Sequence, residues 1–274
     1  MATRYTIAAG AINDAGNWNG ELAIPSGVTG DVVQIRHAMT VDGAAYARFP
    51  AVGAFASLDL AAAGGESPGL VVTGVHAIAA TAITGLENLN DYGGDAQATL
   101  TVTATSCGTT LDATWTTYGI TDFSCAITCG GPAASGGIIV NGTLTAPTVT
   151  GIGDGTSYGI YNTGTVIGDV IGTGGSAGVD NEGEITGDVI GISTIGYGVE
   201  SYGPITADTI TAQSTSNIAF LDEAGTLTES TGAAGVNLSV RRLDGGQAVE
   251  IRGTTITDEL KITYVSNSTT PLVI

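Results

Sequence analysis

Residues 137–211 write one phrase four times, and few folds accept such a phrase. It reads GIIVNGTLTAPTVTG from Gly137, GIYNTGTVIGDVIG from Gly159, GVDNEGEITGDVIG from Gly178 and GVESYGPITADTIT from Gly198. The starts are 22, 19 and 20 residues apart, and equal offsets carry equal chemistry. The second position is Ile138, Ile160, Val179 and Val199, and the eighth is Leu144, Val166, Ile185 and Ile205. The thirteenth is Val149, Ile171, Ile190 and Ile210, while the sixth is a turn glycine in every unit: Gly142, Gly164, Gly183 and Gly203. A repeat of this length, made of β-branched residues and glycine, cannot bury its apolar face alone. It becomes stable only when units stack about 4.8 Å apart as coils of a β-solenoid, each apolar column then forming core.

The expected fold is therefore all-β: a single-stranded, right-handed parallel β-helix with about 20 residues per coil. Residues 1–30 are expected to form an N-terminal attachment or cap, in which Trp18 covers the open end of the core. Residues 31–136 would be less regular coils, 137–234 the regular ones, and 235–274 an irregular C-terminal cap or subunit contact. Alternation predicts strands at 32–36, 39–42, 56–60, 69–73, 79–84, 98–105 and 110–118, and again at 237–243, 248–252 and 255–264. Turns are expected at residues 25–27, 64–69 and 92–95. Hydrophobic residues make up 43% of the chain, with Ala, Val, Ile and Gly well ahead of Leu and Phe, which suits strands and tight corners.

Charge narrows the possible roles. Lys and Arg number 7 against 26 Asp and Glu, for a net charge of −19. Between Arg48 and Arg241 no basic residue occurs, while 18 carboxylates do. A surface of that sign repels phosphate backbones and anionic lipid, so neither nucleic acid nor membrane is an expected partner. No run of 18 apolar residues appears, and the N-terminus has no apolar signal core, so cytoplasmic synthesis is expected. Cys107, Cys125 and Cys129 read as packed thiols, with a disulfide or metal site as the alternative. Asn141, Asn237 and Asn267 head short glycosylation sequons.

Two polar columns stand out. The eleventh position of three units is Asp169, Asp188 and Asp208, a stack of carboxylates that would be solvated, shielded by cations or met by a positive partner. Calcium is the candidate metal, although it takes six or more oxygens. The fourth position, Asn162, Asn181 and Ser201, reads as an amide ladder between coils. No nucleotide, zinc or nucleophile motif is present, and no cofactor is expected. A lyase would want a base in the groove, which residues 49–240 do not offer. A hydrolase would need two carboxylates at a defined separation, which stacked coils satisfy too easily to be informative. Threonine runs such as residues 99–105 do not form the T-x-T grid of an ice-binding face.

The order of Asn17, Trp18, Asn19, Pro25, Gly30, Asp31, Val32, Val33, Ile35, Thr40 and Val41 resembles the N-terminal coil of β-solenoid structural proteins of tailed-phage virions, such as tail fibres, spikes and head appendages. The regular repeats also resemble the passenger repeats of autotransporter adhesins, but a signal peptide and a translocator barrel are not expected here. The phage resemblance implies a non-enzymatic virion protein, a head-decoration fibre or tail appendage. It further implies a homotrimer of about ten coils, about 50 Å long, held to other virion proteins. The alternative it implies is a receptor-binding adhesin or tailspike that recognises host surface glycan, with or without glycosidase activity. A carboxylate pair flanked by aromatics on one face would favour that alternative.

Overall fold

The computed structural model of the protein describes residues 3–12, 14–19, 30–41, 48–50, 54–61, 68–91, 98–109, 113–223, 225–230, 235–244, 247–257 and 259–264. The expected turns at 25–27 and 92–95, residues 64–67 of the third turn, and Asn267 lie outside them. The fold is a β-solenoid: parallel strands, coil stacked on coil, with roughly 22 residues per turn. Among the described residues helix is limited to two 3-10 turns, Ala15–Asn17 and Leu86–Asn88.

By its contacts the chain divides into two compact units, one made of Met1–Thr110, Trp115–Ile127 and Gly142–Ala146, the other of Leu111–Thr114, Thr128–Asn141 and Pro147–Ile274. In the first, Thr3–Tyr5, Val32–Gln34, Ser57–Asp59, Ala82–Thr84 and Ser106–Gly108 stack as one parallel face. Gly10–Ala11, Ala38–Val41, Gly69–Val72 and Leu89–Asn90 form a second. Arg48–Phe49, Val75–Ala79, Thr99–Thr103 and Ile120–Phe123 form a third. The predicted strand at 79–84 is thus two strands on different faces. The chain turns a corner at Ala80 and Thr81, whose N–H groups donate to Thr103 and Phe55 carbonyls of other coils. Trp18 is fully buried in the first coil and donates its indole N–H to the Ile12 carbonyl at 2.9 Å, so its one polar atom is satisfied.

In the second unit the faces are longer and more regular. Ile138–Val140, Tyr158–Asn162, Ala177–Asn181, Tyr197–Ser201, Phe220–Glu223 and Val249–Arg252 stack on one side. The strand Thr165–Gly174 serves two faces. Its first half continues through Glu184–Thr186, Ile205–Thr206, Thr226–Thr228 and Thr255–Ile256. Its second half continues through Val189–Ser193, Thr209–Ser214, Val236–Arg242 and Leu260–Tyr264. The predicted strand 255–264 is therefore also a corner between two faces.

The second and eighth positions lie in the core: Ile138, Ile160, Val179 and Val199, then Leu144, Val166, Ile185 and Ile205, are all buried. The thirteenth column needs correcting. Val149 and Ile210 are buried, but Ile171 is half-buried and Ile190 is 37% exposed. Their places are taken by Val170 and Val189, which pair with each other, and Val189 in turn pairs with Ile210. A strand alternates its side chains with period 2, so an offset of one residue moves an isoleucine from core to solvent.

Glycine sets how closely the faces meet. A Cβ on Gly172 would strike the Gly178 carbonyl and lie 2.7 Å from a Val179 methyl, and a Cβ on Gly191 would meet Gly198 and Val199 in the same way. The turn glycines Gly183 and Gly203 are needed for space as well, because a Cβ on either would collide with the carbonyl of Gly164 or Gly183 in the preceding coil. The backbone that demands glycine by its φ is elsewhere, at Gly168 (+130°) and Gly187 (+140°).

Val189→Ala should lower unfolding stability by about 2 kcal/mol through the cavity it leaves, whereas Ile190→Thr, which keeps a β-branched residue in the strand, should change it by less than about 0.5 kcal/mol. Urea unfolding followed by far-UV circular dichroism measures both, and equal losses would refute the inward placement of Val189.

Candidate functional site

The eleventh-position aspartates bond to the backbone of neighbouring coils. Among the described residues no group of three or more His, Cys, Asp or Glu side chains is placed to hold an ion. The carboxylates are used by the backbone instead. Asp169 Oδ1 accepts from the Asp188 N–H at 3.1 Å, and Asp188 Oδ1 accepts from Asp208 and Thr209 N–H at 3.1 and 2.8 Å. Asp208 Oδ1 accepts from the N–H and hydroxyl of Ser230 at 3.2 and 2.9 Å. Each aspartate thus caps amides of the next coil, a structural use of the carboxylates.

The fourth-position residues do form a ladder. Asn162 Nδ2 donates to Asn181 Oδ1 at 2.8 Å, and Asn181 Nδ2 donates to Ser201 Oγ at 3.2 Å, all three residues being buried. Asp222 is next in register. It is fully buried, and Thr254 donates to its Oδ2 at 2.6 Å while its Oδ1 has no partner. Burial pushes the Asp222 carboxyl up to about 6, against the opposing hydrogen bond from Thr254.

The third position carries the feature that sequence reasoning missed. There Tyr161, Asp180, Glu200, Leu221 and Glu250 succeed one another in direct register on five coils. The column lies between the buried second position and the ladder, with Tyr161 and Glu200 half-buried and Asp180, Leu221 and Glu250 buried. Asp180 and Glu200 are thus a carboxyl pair on neighbouring strands, about 4.8 Å apart along the stack. Tyr161 flanks the pair on one side and stacks on Tyr158 with ring centroids 5.4 Å apart at 27°. On the other side Tyr202, 43% exposed, donates its hydroxyl to Glu200 Oε1 at 2.8 Å. Arg252 closes the strip at its far end by pairing with Glu223 at 2.9 Å and with Glu250.

Asp180 is the unusual member. Its residue is 6% exposed and its Oδ1 is buried with no hydrogen-bond partner. Burial, then the charges of Glu200 and Glu182, raise its carboxyl to about 7. Burial also raises Glu200, opposed by the Tyr202 hydrogen bond. The same bond, together with burial, raises the Tyr202 phenol. Near neutral pH the pair therefore offers one carboxyl that exchanges its proton beside another that accepts hydrogen bonds, framed by tyrosine rings. Such an array can donate to and accept from hydroxyl or amide groups of a bound molecule. The sequence signal was present at the third offset, where Ile139 and Tyr161 give way to Asp180 and Glu200 beside the apolar second position.

Both raised carboxyls link stability to pH. Below 3.8 the folded and unfolded chains are alike protonated at these groups. As pH rises toward about 7, Asp180 holds a proton that the unfolded chain has released, so the folded state loses stability over that window. The urea midpoint should therefore fall between about pH 4 and pH 7, and Asp180→Asn should flatten the slope and add on the order of 2 kcal/mol near pH 8. An unchanged slope in that variant would remove Asp180 from the account. Millimolar calcium should leave the thermal midpoint of the wild-type protein within about 1 °C, as expected where carboxylates are already used by backbone amides. No family model, no curated protein and no solved structure matches the chain.

Proposed function

We propose that this chain is a non-enzymatic structural appendage of a tailed-phage virion whose strip of tyrosines and carboxyls recognises a host surface glycan. The observation that carries the recognition role is the Asp180–Glu200 pair in register, flanked by Tyr161 and Tyr202. Tyrosine rings give a flat apolar surface with a polar edge, which suits the C–H face of a pyranose, and the carboxyls satisfy its hydroxyls. With a net charge of −19 the chain repels uronates, sulfates and sialates, so neutral hexose or N-acetylhexosamine polymers are the fitting class. The scaffold role is supported by the way other polar columns are spent: the Asn162 ladder and the Asp169 column bond coil to coil. The virion setting rests on the resemblance around Trp18.

Binding to an array of neutral and anionic polysaccharides tests the reading. Neutral glycans should bind, anionic ones should not, and Tyr161→Ala and Tyr202→Ala should each weaken binding about tenfold without altering the circular dichroism spectrum. Absence of binding to every neutral glycan would overturn the recognition role. Release of reducing ends would make the Asp180–Glu200 pair hydrolytic and replace the non-enzymatic part, since neighbouring carboxyls about 5 Å apart suit a retaining mechanism.

A further inference from the structure

Cys107 lies in the strand Ser106–Gly108, and Cys125 follows the strand Ile120–Phe123 by two residues. These segments belong to consecutive coils, since Thr99–Thr103 pairs with Ile120–Phe123. The two side chains are 6% and 5% exposed, and their Sγ atoms are 3.0 Å apart. A disulfide needs about 2.05 Å between sulfurs, so an approach of about 1 Å joins them. We infer that Cys107 and Cys125 form an oxidisable dithiol that closes to a disulfide between consecutive coils.

Hydrogen peroxide, small enough to reach such sulfurs, balances the step. One sulfur attacks a peroxide oxygen, the O–O bond breaks, and the departing oxygen takes the thiol proton and leaves as water. The sulfenic acid so formed is attacked at sulfur by the second thiol, its S–O bond breaks, and a second water leaves. Two thiols and one peroxide thus yield one disulfide and two waters, with both electrons taken from sulfur. Burial disfavours the thiolate, but the second sulfur stands at the point of attack, which favours ring closure over further oxidation. The bond would tie two positions 18 residues apart, 107 and 125, and so reduce the freedom of the unfolded chain. In a reducing compartment the pair stays as thiols, and outside it the first unit gains a staple.

The wild-type protein, fully reduced and then treated with millimolar hydrogen peroxide, provides the test. Its mass should fall by about 2 Da, and its titratable thiols in denaturant should drop from the three cysteines of the sequence to one. Digestion should release a single linked pair containing Cys107 and Cys125. The thermal midpoint should rise by about 5 °C and return on treatment with a phosphine. Cys107→Ser and Cys125→Ser should abolish the link, whereas Cys129→Ser should retain it. Three titratable thiols after oxidation, sulfinic or sulfonic acids on separate cysteines, or a link through Cys129 would overturn the inference. The peptide map of the wild-type protein decides the matter even where a serine variant does not fold.

Discussion

The parallel register between coils is the constraint on which the rest depends. A residue on one strand lies directly beside its partner on the next, about 4.8 Å away, so every choice of side chain is made against a near copy of itself. For Val and Ile this is favourable, because like columns pack into a continuous core. For amides it is favourable too, since Asn162 and Asn181 donate and accept along the same line. For carboxyls it is costly. Burial, and then the charge of the neighbouring Glu200, raises the energy of the charged state of Asp180 in the column that tyrosines accompany.

The molecule divides its polar groups accordingly. The Asp169, Asp188 and Asp208 carboxylates face backbone amides, and the Asn ladder faces itself, so both are absorbed by the stack. Asp180 has no such outlet. Asp180 Oδ1 and, at the end of the ladder, Asp222 Oδ1 are both buried without a partner, and only Asp180 stands in the column that tyrosines accompany.

Much of the fold was legible because β-branched residues recur at fixed offsets. The second and eighth positions are buried as expected, because their strand pairing follows the spacing of the unit starts: Ile138, Ile160, Val179 and Val199 pair in succession, and so do Val166, Ile185 and Ile205. The thirteenth is not buried throughout, because the pairing runs from Val170 to Val189 over 19 residues and from Val189 to Ile210 over 21. No offset counted from the glycine of each unit can follow that change. Corners such as Ala80 and Thr81 were hidden because apolar residues continue around them. The Cys107 and Cys125 sulfurs meet across 18 residues, close to one coil, a proximity that only the stacking of coils creates. The acidic strip was hidden because its third position changes both identity and polarity from coil to coil, from Ile139 and Tyr161 to Asp180, Glu200 and Leu221.

Coil length itself varies widely while the register holds. On one face Phe220 pairs with Val249 across 29 residues, where Ala177 pairs with Tyr197 across 20. Surplus chain is therefore accommodated at corners, outside the hydrogen-bonded ladder, without displacing the coils above or below. A scaffold built this way separates growth from cohesion: its loops are free to diversify toward new ligands, and each insertion leaves the ladder to be inherited intact.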